Sequence, residues 1–156
     1  MFYGQLSEAT KTDVPINEIE SDIFWILLLC LYGESFENAM NDTLRKPSDF
    51  TNEEEYKDYH LSSLIDLLKT TDFYDAGFKD EVEDKIIDCN YIEVSNVCDI
   101  LIHLNSNTCQ STRLKSYCKD YISKNRVIVI NQLLRHRENE NERLRVSQDL
   151  DKLLDE

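Results

Sequence analysis

Three glycines and two prolines in 156 residues leave too little punctuation for a fold of many strands. Helix is therefore the default expectation, and the apolar pattern agrees with it. The run Ile23-Phe24-Trp25-Ile26-Leu27-Leu28-Leu29-Cys30-Leu31-Tyr32 is apolar almost all round. Such a helix belongs at the centre of a core. It is too short to span a bilayer, and Asp22 and Glu34 flank it. Ser21 and Asp22 supply N-cap chemistry, and Gly33 is placed to end the helix.

Further along, residues 34–58 are polar and acidic, show no clear periodicity and hold Lys46-Pro47-Ser48-Asp49. They read as a long insertion. Thr51-Asn52-Glu53-Glu54 matches the S/T-x-x-E capping box, so a helix restarts there. Leu61, Leu64, Ile65 and Leu68 repeat at helical spacing until the break at 72–77. Phe78, Val82, Ile86 and Ile87 mark the next helix. From Tyr91 a series of amphipathic helices follows. Val94, Val97, Ile100, Leu101 and Leu104 form one face, before the polar turn Asn105-Ser106-Asn107. Leu114, Tyr117, Cys118, Tyr121 and Ile122 form the next, closed by Lys124-Asn125. Residues 127–134 are again apolar. The charged tail 138–156 has Leu144, Val146, Leu150, Leu153 and Leu154 as its apolar positions. Three placements are open to it: against the body, extended alone, or against another chain.

A formal net charge of −14 excludes the Lys/Arg footprint that nucleic acid or an anionic membrane requires. A basic or neutral protein surface suits that field, and solubility alone also explains it. Cys30, Cys89, Cys98, Cys109 and Cys118 contain no C-x-x-C pair, and five is an odd number. With no signal peptide, they read as small core residues in a reducing compartment. His60, His103 and His136 are far apart and lack metal-ligand spacing, so no metal or cofactor is expected. No G-x-S-x-G, P-loop, G-x-G-x-x-G, H-E-x-x-H or kinase motif occurs, which argues against an enzyme. Phe24 and Trp25 read as packing rather than as a ligand-stacking pair. Glu53 to Glu55 and the acidic run 138–142 lack the spacing of a calcium loop and read as solvated faces.

The order Met1-Phe2, Leu6-Ser7-Glu8, Val14-Pro15-Ile16, Ile19, Phe24, Leu28 and Leu31-Tyr32-Gly33 resembles the second half of a BTB (POZ) domain. In that family a φ-x-E loop precedes an edge strand and a buried helix that closes on a Tyr-Thr-Gly-like turn. The likeness resumes at Leu64-Ile65-Asp66-Leu67-Leu68, Phe78 and Val82-Glu83-Asp84. Residues 92–101 and 114–122 resemble the 3-box/BACK helices that often follow the domain. Tyr32-Gly33-Glu34 lacks the usual threonine, and 34–58 is longer than the corresponding segment of most relatives.

The resemblance implies a mostly α (α+β) fold: a truncated BTB/POZ unit over residues 1–90, interrupted by the acidic insertion 34–58. A short edge strand at Asp13-Val14-Pro15-Ile16 should lie within it. BACK/3-box-like helical hairpins over 91–137 and a charged acidic C-terminal helix over 138–156 complete the expectation. The family's dimer-forming elements would precede Met1, so the expectation is a fragment or a minimal chain that is marginally stable or leans on a partner. Homodimerisation is expected only with those elements. Family members of this kind bind the N-terminal domain of cullin-3 as substrate adaptors of ubiquitin ligases, inside the cell in cytoplasm or nucleus. Carried over, Leu6 is the apolar anchor, Glu8 the acceptor, and Tyr32 lines the same surface. Competing readings are a BTB-type assembly module without ligase function and, more remotely, a small Cys/His hydrolase. The assembly module would act through its helical face or its C-terminal helix.

Overall fold

The computed structural model describes residues 19–106, 111–134 and 140–155. The chain is mostly α, with eight helices and no strand among the described residues. The edge strand expected at 13–16 lies outside them.

Helix α1 (Ser21–Leu31) begins after Glu20, which occupies the N-cap position without a side-chain bond. Ser21 turns its hydroxyl to Asp22 at 3.3 Å rather than capping the helix. At the other end, the Gly33 N–H donates to the Cys30 carbonyl and the Glu34 N–H to that of Leu29, both at 3.0 Å. This pair of bonds is a Schellman closure, and it needs the left-handed backbone that Gly33 supplies at φ 98°. The expected stop at Gly33 is where the helix stops.

The expected burial of α1 is corrected in part. Ile23, Ile26 and Leu27 are buried, yet Trp25 is 56% exposed. The helix packs chiefly on α2 and α3, and Trp25 lies away from them. Phe24 is half-buried against the core, so the two adjacent aromatics face different surroundings.

Residues 34–58 are also more ordered than their composition suggests. Helix α2 (Phe36–Thr43) lies in this segment, capped by the Ser35 hydroxyl, which accepts from the Asn38 N–H at 3.3 Å. Phe36, Ala39, Met40 and Leu44 are buried, at spacings of three, one and four residues, so the segment belongs to the core. A 3-10 turn at Pro47–Asp49 follows.

Helix α3 (Glu53–Phe73) starts one residue beyond the expected cap. Asn52, not Thr51, accepts the Glu55 N–H at 2.8 Å, while both the N–H and the hydroxyl of Thr51 bond the Glu55 carboxylate. Asn outranks Thr as a cap, which explains the shift. Leu61, Leu64, Leu67 and Leu68 bury one face of α3. Its end repeats the α1 closure without a glycine. The Ala76 N–H donates to the Thr71 carbonyl at 2.8 Å, and Asp75 adopts φ 50°.

Helix α4 (Lys79–Asp88) presents Val82 and Ile86 to α3, and Phe78 stacks on Phe36 with centroids 5.8 Å apart. Helices α5 (Val97–Ser106) and α6 (Thr112–Lys124) then pair through Leu101, Leu104, Leu114, Cys118 and Ile122. Helix α7 (Arg126–Leu133) and helix α8 (Glu140–Asp155) complete the chain. Leu150 is buried in the common core and Leu153 and Leu154 pack against it, so α8 lies on the body. The side chains of Leu144 and Val146 lie outside the described set. One continuous hydrophobic cluster runs from Ile23 to Leu150. Each fully buried Leu or Ile contributes about 1.5–3 kcal/mol.

Candidate functional site

The Schellman turn that ends α1 determines what happens to Tyr32. As the C-cap residue it sits past the last buried turn, and its side chain is 89% exposed, beside Leu31 at 61%. Contacts made below these two residues locate them on the molecule. The five-residue step from Leu31 to Phe36 keeps the start of α2 close to the end of α1. The Phe36–Phe78 stack joins the start of α2 to the start of α4. Glu81 of α4 and Glu34 lie near enough to Cys30 to raise its thiol pKa, after the larger effect of burial. The end of α1, the end of α3 and the start of α4 thus share one end of the α1–α4 body.

At that end α3 adds two more exposed aromatics. Phe73 is 82% exposed and meets Tyr74 edge-on, with centroids 5.0 Å apart. The Lys79 ammonium pairs with the Asp72 carboxylate beneath them, tying α4 to the last turn of α3. Glu34, Asp75, Asp80 and Glu81 are exposed around the same end. Large apolar side chains without cover, rimmed by carboxylates, form a surface suited to a protein partner.

Of the three residues expected to form the partner site, Tyr32 is where exposure allows contact, whereas Leu6 and Glu8 lie outside the described residues. Phe73 and Tyr74 were not foreseen. In sequence they fall in the break at 72–77 and carry no spacing signal. Only the position of the helix terminus turns them outward.

The chemistry available elsewhere is limited. Cys30, Cys89, Cys98 and Cys118 are free thiols. Burial is the first cause of a raised pKa in all four, with Cys118 pushed up to about 12. Protonated thiols are poor nucleophiles. Among the described residues no group of three or more His, Cys, Asp or Glu side chains could hold a metal. No helix among them is long and apolar enough to cross a membrane. A cleft of about 310 Å³ opens between the start of α3 and residues 91–96, with Glu53, Glu54, Asp58 and Glu93 on its walls. The first two carboxylates lie in the first turn of α3, where they complement the helix dipole.

Compared with protein-family models, with curated proteins and with solved structures, the chain has no match.

Proposed function

We propose that this chain is a protein-interaction module that docks its partner at the end of the body where Leu31, Tyr32, Phe73 and Tyr74 are exposed. The observation that carries the reading is the exposure of Leu31 and Tyr32 at the end of α1 and of Phe73 and Tyr74 at the end of α3, two termini that both lie near the start of α4. Along α1 and α3 the other large apolar side chains are buried or half-buried, apart from Trp25. Aromatic anchors of this kind concentrate binding energy, because each removes a large apolar area from water at small entropic cost.

Within that reading the module is a cullin-3-binding adaptor, or part of one, with no catalytic step of its own. Support comes from Leu6-Ser7-Glu8 and the BTB-like order of motifs, together with the exposure of Tyr32. The test is a pull-down with the N-terminal domain of cullin-3. Retention is expected for the wild-type chain. Tyr32→Ala and the double change Leu6→Ala with Glu8→Ala should each weaken it at least tenfold. Retention that ignores all three changes would sink the adaptor reading. Binding of a different partner that is lost only with Tyr32→Ala and Phe73→Ala would keep the docking end and remove the cullin.

One observation favours the assembly reading as a second possibility. Val127 and Ile128 on α7 are also exposed, which gives the helical half of the molecule an apolar surface of its own. A partner held there is released by Val127→Asp and is indifferent to Tyr32.

A further inference from the structure

Leaving α4, the chain crosses from the first four helices to the last four through an irregular segment. Asn90 takes φ 53°, and the Asn96 amide donates to the Tyr91 carbonyl at 2.8 Å. The Tyr91 ring then lies edge-on against His60 of α3, with centroids 5.7 Å apart and planes at 81°. On its other side His60 stacks on Tyr56, one turn earlier in α3, at 5.4 Å. The imidazole is 7% exposed, and its Nδ1 has no hydrogen-bond partner among the described residues.

The groups facing this ring come from each element packed against it. Tyr56 lies on its own helix. Lys85 approaches from α4 as a positive charge, itself paired with Glu37 of α2 at 3.1 Å. Tyr91 comes from the connecting segment, and its side chain shares a hydrogen bond with that of Cys89. Glu53 acts on Tyr91 from the start of α3. A neutral imidazole tolerates this setting at the cost of one unbonded nitrogen. An imidazolium does not: it needs partners or water for both N–H groups, in a site that is buried and faces an ammonium. Attraction to the Tyr56 face offsets only part of that cost.

We propose that His60 is an acid-sensitive latch, whose protonation drives Tyr91 off α3 and loosens the 89–96 connection between helices α1–α4 and α5–α8. Tyr91 is the contact that yields. Tyr56 is fixed on the same helix, and Lys85 is anchored within α4, whereas Tyr91 belongs to the short segment between α4 and α5, where its carbonyl is held by the Asn96 side chain rather than by a helix.

Burial and Lys85 together lower the His60 pKa from 6.5. In the opened segment the imidazole meets water and titrates near its ordinary value. At about pH 7.5 and above both states carry an almost wholly neutral ring and the latch is unaffected. As pH falls below that, the open state takes up the proton first and gains, by at most about tenfold per pH unit, until the closed-state pKa is reached. Carboxylates titrate mostly below this window.

Hydrogen exchange on the full chain, corrected for intrinsic rate, tests the latch at pH 7.5 and 5.5. Protection across residues 85–100 is expected to fall by roughly three- to tenfold, with α1 and α6 unchanged. His60→Phe keeps the ring contacts without the proton and should abolish the fall. His103→Gln should preserve it, although burial also lowers the His103 pKa. An equal fall in His60→Phe overturns the proposal. Should that variant not fold, the His60 ring signals in the wild-type chain decide. A ring that titrates at or above pH 6.5 with its Tyr91 contact intact overturns it. A ring that stays neutral below pH 6.5 until the contact is lost supports it.

Discussion

Gly33 and Asp75 occupy the same position in two helix closures, and they meet its backbone requirement differently. A Cβ at Gly33 would meet no atom within 4 Å, so Gly33→Ala isolates the cost of φ 98°. That change should lower stability by about 1–2 kcal/mol, measured by denaturant unfolding at constant m. Asp75 already pays part of the cost at φ 50°. Asp75→Gly relieves about 1 kcal/mol of left-handed strain and adds about 0.5 kcal/mol of unfolded-state entropy. A net gain of about 0.5 kcal/mol is expected, and a loss would show that the Asp75 side chain contributes something its backbone does not. The first closure was legible in the sequence, because a glycine directly after an apolar helix names its own role. The second was visible only as a break at 72–77, since aspartate does not announce a positive φ. The setting of His60 is illegible in the sequence for a related reason. A lone histidine in a helix carries no spacing signal, and the aromatic rings that bury it come from 56 and 91.

The helices themselves were mostly readable, because a face buried against a neighbour imposes a period on the residues that face it. Leu64 and Leu68, Val82 and Ile86, Leu101 and Leu104, and Leu114, Cys118 and Ile122 all sit where that period places them. Helix α2 is hidden in the sequence because Glu37, Asn38, Asn41 and Asp42 dominate its composition, although Phe36, Ala39, Met40 and the C-cap Leu44 hold a helical face. Met40→Ala should therefore destabilise the chain by about 2–4 kcal/mol, where a looped-out insertion would lose almost nothing. The sequence leaves the charged tail three placements, and burial of Leu150 in the common core selects the one against the body. The Arg126–Asp151 ion pair at 2.6 Å lies between half-exposed side chains and adds little. Packing therefore holds α8, because a lone helix of 16 residues is marginal in water. Leu150→Ala should lower the stability of the whole molecule by about 2–4 kcal/mol, seen as an earlier midpoint of one shared transition. Loss of α8 helicity alone, with no change in the main transition, would mean that α8 is an appendage.

On the scale of the whole molecule, charge and apolar exposure make separable contributions to binding. The expectation of a partner rested on acidity and on a short motif. The proposed docking end is not legible in the sequence, because it is assembled from two helix termini about forty residues apart. Its rim of Glu34, Asp75, Asp80 and Glu81 adds to a net charge of −14. A field of that sign accelerates encounter with a basic partner and is screened by salt over about 8 Å at physiological ionic strength. On the proposed docking, the aromatic side chains act only after contact, by resisting dissociation. Stopped-flow association with the cullin-3 N-terminal domain, or with any basic partner captured at this end, should separate the two. Raising salt from 50 to 500 mM is expected to slow association by about tenfold and leave dissociation nearly unchanged. Tyr32→Ala should do the reverse, speeding dissociation at least tenfold with association within about twofold of the wild type. A Tyr32 variant that changes only the association rate would place the tyrosine outside the contact and move the docking surface elsewhere on the molecule.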